Sequence, residues 1–234
     1  MGSLVEHNPI IVALDVESGD QALQLIDQLG ESVGFYKIGL ELFAAEGIEI
    51  VRKVQSRKKR VFLDLKFHDI PETVTRAVAR VAALGVDLLT VHAHSQIMKA
   101  AVAGRGNSTL RLLGVTVLTS ISESDLASMG YGPDTTIAEL VQSRVRQGLE
   151  LGMNGFVCSP LEVEGVRRMS GPSTILVTPG VRSAGTEAGD QKRVATPAQA
   201  ITNGATYLVI GRQITRASNP RAAAEAILGE LGSI

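Results

Sequence analysis

The 234-residue chain is 44% hydrophobic and 20% charged, with a net charge of −1, which is enough for one sizeable core and leaves no charge footprint for nucleic acid or an acidic membrane surface. The single cysteine, Cys158, excludes a disulfide and a cysteine zinc cluster. The opening MGSLVEHNPI has neither the basic start nor the long apolar stretch of a secretion signal, Glu6 stands where a myristoylation signal needs Ser or Thr, and no apolar run reaches the roughly 18 residues of a membrane span, so the expectation is a cytoplasmic protein with no membrane or nucleic-acid partner.

Strand-like and helix-like segments alternate along the chain. IIVALD (10–15) precedes an amphipathic DQALQLIDQLG (20–30). FYKIG (35–39) precedes ELFAAEGIEIVRKVQ (41–55), read as one helix. VFLDLK (61–66) precedes PETVTRAVARVAALG (71–85), LLTVHA (88–93) is the fourth strand, and LLGVTVLTS (112–120) precedes TIAELVQSRVRQGLELG (136–152). GFVCS (155–159) and TILVTPG (174–180) are followed by PAQAITNGA (197–205). YLVIGR (207–212) is followed by a short helix and by NPRAAAEAILGEL (219–231). Most of these strands are almost continuously apolar, as parallel strands covered on both faces are. Pro71, Pro197 and Pro220 suit first helical turns, and Gly30, Gly85, Gly152 and Gly204 suit helix stops. Eight strands alternating with helices predict an α/β chain folded as one (β/α)8 TIM barrel over residues 1–234. The alternative is an open doubly wound sheet, and the absence of G-x-G-x-x-G after the first strand counts against its dinucleotide-binding form.

A barrel places its active site at the C-terminal strand ends. Those ends carry Asp15, Lys37, Asp64 with Lys66, His92, Thr119, Ser159, Pro179–Gly180 and Gly211–Arg212. SRKKR (56–60) precedes the third strand, so it belongs to the opposite face and reads as a solvated loop. The strand period of two puts Phe62, Asp64 and Lys66 on one face, and Leu63 and Leu65 on the other. The leucines fit the helix layer, so Asp64 and Lys66 point into the barrel mouth, where Lys37 can join them. Charges there must be paired. Two readings stand: a catalytic charge network, or a structural ion-pair cluster plugging the barrel. At the last strands, Gly211 lets backbone N–H groups approach an anion and Arg212 adds a fork of donors, while TPGVRSAGTEAGDQKR reads as a glycine-rich lid carrying Arg182 and Gln191. Together they suggest a phosphate site, although each arginine alone could be an ordinary surface residue. His68 and His92 read as hydrogen-bonded scaffolding, Cys158 as a small buried residue, and Ser159 has no triad partner in view.

FLDLKFHDIPET resembles the signature of the orotidine 5′-monophosphate decarboxylase family. The resemblance extends through VALD (12–15), YKIG (36–39), VTVLTS (115–120), TPGVR (178–182), GDQKR (189–193) and VIGR (209–212). It departs after the fourth strand, where HAHSQIMKAA stands in place of a Gly-Gly pair. The resemblance implies cofactor-free, metal-free decarboxylation of orotidine 5′-monophosphate to uridine 5′-monophosphate, the last step of de novo pyrimidine biosynthesis, by a homodimer with shared active sites. It implies Lys66 as the proton donor, Asp64 beside the departing carboxylate, and Lys37 and Asp15 on the ribose. Asp69, with Ile70 and Thr73, would reach into the partner's site. Thr119 and Ser120 would hold the pyrimidine, with Pro179 in the substrate pocket, and Arg182, Gln191, Gly211 and Arg212 would hold the 5′-phosphate.

The nearest rival is a Mg²⁺-dependent sugar-phosphate lyase or aldolase of the 3-hexulose-6-phosphate synthase type. It shares Asp64-x-Lys66-x-x-Asp69 but carries an acidic ligand where this chain has Lys37. A noncatalytic nucleotide-binding barrel is the other class, and it would need a broken catalytic set.

Overall fold

A computed structural model of the chain describes residues 8–183 and 195–232. Eight parallel strands close into a barrel in sequence order: β1 (Ile10–Ala13), β2 (Phe35–Gly39), β3 (Arg60–Phe67), β4 (Leu88–His92), β5 (Arg111–Val115), β6 (Gly155–Val157), β7 (Ile175–Pro179) and β8 (Tyr207–Ile210). β8 pairs back onto β1 through Ile10–Leu208 and Val12–Ile210. The open doubly wound alternative is therefore excluded.

The helices are α1 (Gly19–Leu29), α2 (Leu40–Glu46), α3 (Ile48–Ser56), α4 (Pro71–Ala83), α5 (Ser95–Arg105), α6 (Glu123–Leu126), α7 (Ile137–Glu150), α8 (Val163–Ser170), α9 (Pro197–Thr202), α10 (Arg212–Thr215) and α11 (Pro220–Leu231). Each longer helix exists because its apolar residues fall on one side. α7 buries Ile137, Val141 and Val145, four residues apart, and Thr136 and Glu139 close its N-terminus as a reciprocal capping box. Pro71, Pro197 and Pro220 occupy first-turn positions, as expected.

Three expectations change. The segment 41–55 is two helices, because Gly47 adopts φ +62 and its N–H closes on the Phe43 carbonyl, ending α2 before α3 begins. The fifth strand stops at Val115 instead of running to residue 120. Its partner β6 offers only Gly155–Val157, and the chain then turns, with Ile121 N–H donating to Leu118 O at 3.0 Å. SRKKR is not simply solvated. The Lys59 side chain is 8% exposed and donates to Gly30 O at 2.7 Å, and Arg60 lies 4.0 Å over the Phe35 ring while pairing with Asp87. The Arg60 guanidinium thus caps an aromatic ring of the inner core while it keeps a carboxylate partner.

α5 and α8 had no strong signature. α5 buries Ile97 and Met98 together with small Ala100 and Ala101, and α8 is a short charged helix burying Val163 and Val166. Their apolar stripes are too narrow or too short for periodicity to reveal.

Alternation sorts two cores. Leu63 and Leu65 pack outward beneath the helices, while Phe62 joins Ile11, Phe35, Leu88 and Leu113 inside the barrel. Among the described residues no helix is long and apolar enough to cross a membrane.

α4 and α5 approach closely at Gly104, where any Cβ would overlap the Thr75 carbonyl, and Thr75 Oγ1 also donates to Ala100 O at 3.1 Å. Gly104→Ala should therefore destabilise the fold by about 1–3 kcal/mol despite alanine's higher helix propensity. Urea denaturation measures this, and an unchanged or raised midpoint would show that the two helices separate freely.

Candidate active site

The C-terminal mouth of the barrel opens into a cavity of about 450 Å³. β1, β2 and β3 line one wall of it with charge. Asp15, two residues past β1, accepts from Lys37 Nζ at 2.7 Å. Lys37 lies 3.8 Å from Asp64 Oδ2, and Asp64 Oδ2 accepts from Lys66 Nζ at 2.8 Å. The sequence of contacts is Asp15–Lys37–Asp64–Lys66, with charge alternating at every step. Lys37 is 8% exposed, and the two carboxylates that face it compensate the cost of burying a charge. Gly39 makes the room: a Cβ there would sit 2.9 Å from Lys37 Nζ and 3.1 Å from Asp15 Oδ1.

Lys66 arrives in an unusual way. Its φ is +48, in the left-handed region that side chains rarely adopt. The β3–β4 register slips at the same place, running from Leu63–Leu89 to Phe67–Val91. Strand alternation correctly assigned the inward face of Asp64 and Lys66, yet it gave no sign of this bulge. Nor did it single out Thr90, which is fully buried on the inward face of β4 and hydrogen-bonds both to Asp64 Oδ1 and to the Lys66 backbone N–H. The available signal was a hydroxyl residue between Leu88 and His92 on the inner face of the strand next to Asp64.

The ends of β7 and β8, which adjoin β1 and lie across the barrel from β3 and β4, form a second wall. Pro179, Gly180, Arg182, Gly211 and Arg212 all line the cavity. Burial, and then the neighbouring Arg212, push the Arg182 guanidinium below its usual pKa, as expected where two cations face one space. Gln213 reaches from α10 to Ser183, donating to its hydroxyl at 2.7 Å and accepting from its N–H at 3.2 Å. This fixes the base of the β7–α9 connection to the last strand's loop. Gln191 lies outside the described residues.

Between these walls, apolar Val115, Val117, Val157 and Val209 line the cavity. Thr119 lines it too, although it stands in the loop after β5 and not on a strand end. Ser120 is exposed and is not among the lining residues. Asp69, Ile70 and Thr73 are also not brought to this cavity. Asp69 and Ile70 are exposed in the β3–α4 loop and Thr73 lies in the first turn of α4, with Asp69 Oδ1 accepting from the Ile70 N–H at 2.6 Å.

A sequence model of the orotidine 5′-phosphate decarboxylase / HUMPS family matches residues 8–227. The chain belongs to this family. A protein named orotidine 5′-phosphate decarboxylase from Rhodopseudomonas palustris (strain BisB5) is 52% identical over 97% of this chain and 95% of its own length. One of the same name from Bradyrhizobium diazoefficiens is 50% identical over 95% and 93%. The crystal structure of orotidine 5′-phosphate decarboxylase from Lactobacillus acidophilus superposes with a TM-score of 0.83, at 39% identity, over 95% of this chain and 98% of that one. The (β/α)8 frame of this chain is therefore shared with that crystal structure.

Beside that wall lies a feature the sequence reading did not anticipate as a unit. His68, His92 and His94 gather at the ends of β3 and β4, with ring centroids 4.9 Å (His68–His94), 5.3 Å (His68–His92) and 6.3 Å (His92–His94) apart. They meet ring against ring, where hydrogen-bonded scaffolding was expected for His68 and His92. Burial, then His68, His94, Lys66 and Arg144, push His92 down to about 4 from an ordinary 6.5, and burial with Arg144 and His68 lowers His94 as well. An unfolded chain takes up these protons near pH 6.5, whereas the folded one keeps His92 neutral until about pH 4. The contribution of His92 to stability is thus full above pH 6.5 and declines as pH falls toward 4. Urea unfolding at pH 7 and pH 5 should show a smaller drop for His92→Asn than for the unsubstituted chain. Equal drops would mean that His92 is no more reluctant to protonate when folded than when unfolded.

Proposed function

We propose that this chain decarboxylates orotidine 5′-monophosphate to uridine 5′-monophosphate without a metal or organic cofactor. The observation that carries the reading is the Asp15–Lys37–Asp64–Lys66 array at the cavity wall, across from Arg182 and Arg212. Breaking the bond from C6 to the carboxylate leaves an electron pair that the pyrimidine ring barely delocalises. An ammonium held where that pair develops stabilises it and then supplies the proton. Lys66 fills this role, and Asp64, whose Oδ2 also faces Lys37, holds its ammonium in place. Asp64 lies where the substrate carboxylate departs. CO2 leaves, the new C6–H bond takes a proton from Lys66 Nζ, and Lys66 is reprotonated from solvent. So slow an uncatalysed reaction calls for barrier lowering of roughly 20 kcal/mol, and preorganised charge in a shielded cavity is the kind of term that reaches such a size.

The remaining parts divide the substrate. Lys37 and Asp15 take the ribose hydroxyls, Thr119 and Ser120 the pyrimidine edge, and Pro179 packs in the pocket. Arg182, Gln191, Gly211 and Arg212 take the phosphate, for which two arginines facing one space are suited. A sugar-phosphate lyase dependent on Mg²⁺ is disfavoured by Lys37, whose ammonium sits 3.8 Å from the carboxylate a cation would need.

We also propose a homodimer with shared sites. Asp69 and Ile70 are exposed beyond the strand end, and Ile70, at 66% exposure, is a large apolar side chain facing outward. A two-fold axis would use this loop twice, each copy completing the other's cavity with Asp69, Ile70 and Thr73.

The reaction is followed by the absorbance change on converting orotidylate to uridylate. Lys66→Ala should lose at least about a thousandfold in kcat, since it removes the proton donor and the charge opposite the carbanion. Turnover near that of the unsubstituted enzyme in a folded Lys66→Ala protein would sink the assignment.

The shared site has its own test. Lys66→Ala and Asp69→Ala homodimers should each be nearly inactive. Hybrids formed from both should regain activity, because one of their two sites then has Lys66 from one chain and Asp69 from the other. Hybrids that form but stay inactive argue for a self-contained site.

A further inference from the structure

The hydroxyl of Thr90 bridges the backbone of the proposed proton donor and the carboxylate beside it. It donates to Asp64 Oδ1 at 2.9 Å and accepts from the Lys66 backbone N–H at 2.9 Å. Thr90 is fully buried, on the inward face of β4. The bond to Lys66 falls where the ladder fails. Between Leu63–Leu89 and Phe67–Val91 the third strand carries more residues than its partner, so the Lys66 N–H is met by a side chain and not by a strand carbonyl. At that residue φ is +48, a conformation that persists only where its surroundings hold it. The bond to Asp64 engages Oδ1, and Oδ2 is the oxygen that faces both Lys66 Nζ at 2.8 Å and Lys37 Nζ at 3.8 Å.

We propose that Thr90 is a positioning residue for the reaction: its hydroxyl holds Lys66 in the left-handed conformation that turns its ammonium into the cavity, and orients Asp64 so that one oxygen serves both lysines. The role is supplied by the hydroxyl and not by the volume of the side chain. This inference rests on the reading of Lys66 as proton donor. Thr90 lies on the far side of the barrel mouth from Arg182 and Arg212, so it acts on the chemical step while leaving the phosphate contacts in place.

The test compares kcat and KM on orotidine 5′-monophosphate for the full-length enzyme with Thr90→Val, which keeps the shape and removes the hydroxyl, and Thr90→Ser, which keeps the hydroxyl. Thr90→Val should lower kcat by about tenfold to a hundredfold, the range for hydrogen bonds to charged groups. KM should change by less than about threefold, and Thr90→Ser should recover most of kcat. A Thr90→Val enzyme with unchanged kcat, or a Thr90→Ser enzyme impaired as much as Thr90→Val, overturns the proposal. If Thr90→Val does not fold, Thr90→Ser and Thr90→Ala pose the same question, since both lose the methyl group and only alanine loses the hydroxyl; equal kcat in these two overturns it. An unsubstituted enzyme inactive on orotidylate would refute the decarboxylase reading separately. The positioning claim would then be read from crystal structures of the Val and Ser variants (or Ala and Ser). Lys66 should leave positive φ only where the hydroxyl is gone, and an unmoved Lys66 and Asp64 in the hydroxyl-free variant overturns the claim.

Discussion

Two lysines and a carboxylate drawn into the mouth of an apolar barrel are tolerable only as an alternating set, and much of the local architecture follows from that requirement. Below them the barrel is filled by Ile11, Phe35, Phe62, Leu88 and Leu113. A single ammonium above such a floor would be strongly disfavoured. Asp15, Lys37, Asp64 and Lys66 compensate one another in sequence, each within 4 Å of the next. The compensation demands exact placement, and the fold supplies it by unusual means. Gly39 clears space above Lys37, β3 bulges against β4, and a side-chain hydroxyl replaces a ladder bond. Such a set is rigid because relaxing any member exposes the next one as unpaired.

The rest of the mouth is arranged around this wall. Arg182 and Arg212 face the cavity from the other side, so an elongated substrate with an anionic end can be gripped far from the atoms that react. In the proposed reaction, binding energy from a group that does not react can then be used to seat the reacting carbon against Lys66. Ser183 hydrogen-bonds with Gln213 of α10, which links the residue after Arg182 to the residue after Arg212. His92, on the β4 side, lies close enough to feel the Lys66 charge, and its reluctance to protonate avoids adding further positive charge there.

Much of this was legible in the chain. Continuous apolar strands alternating with helices pointed to the barrel, and it closes in sequence order. The period of two on β3 separated Asp64 and Lys66 from Leu63 and Leu65, and the cores divide along that line. Helices with wide apolar stripes were readable, while α5 escaped because alanines carry part of its buried face, and Gly47 split a segment whose periodicity ran through it. Lys59 and Arg60 looked like solvent residues because a run of basic side chains says nothing about which carbonyl or ring lies within reach.

What the sequence by itself determined is the set of chemical groups and their faces: an inward Asp64 and Lys66, an inward Lys37, arginines after the last two strands, and the ordered motifs that mark the family. Local rules suffice for these, because side-chain direction along a strand repeats every two residues whatever lies beside it. Only the tertiary structure decided how the groups meet. Lys37 and Asp64 are 27 residues apart, and Thr90 and Asp64 are 26 apart. Their contacts depend on strand register, and the register slips at the residue that matters most. The left-handed backbone of Lys66 is stable because a hydroxyl from another strand holds it, so no window of sequence around Lys66 contains its cause.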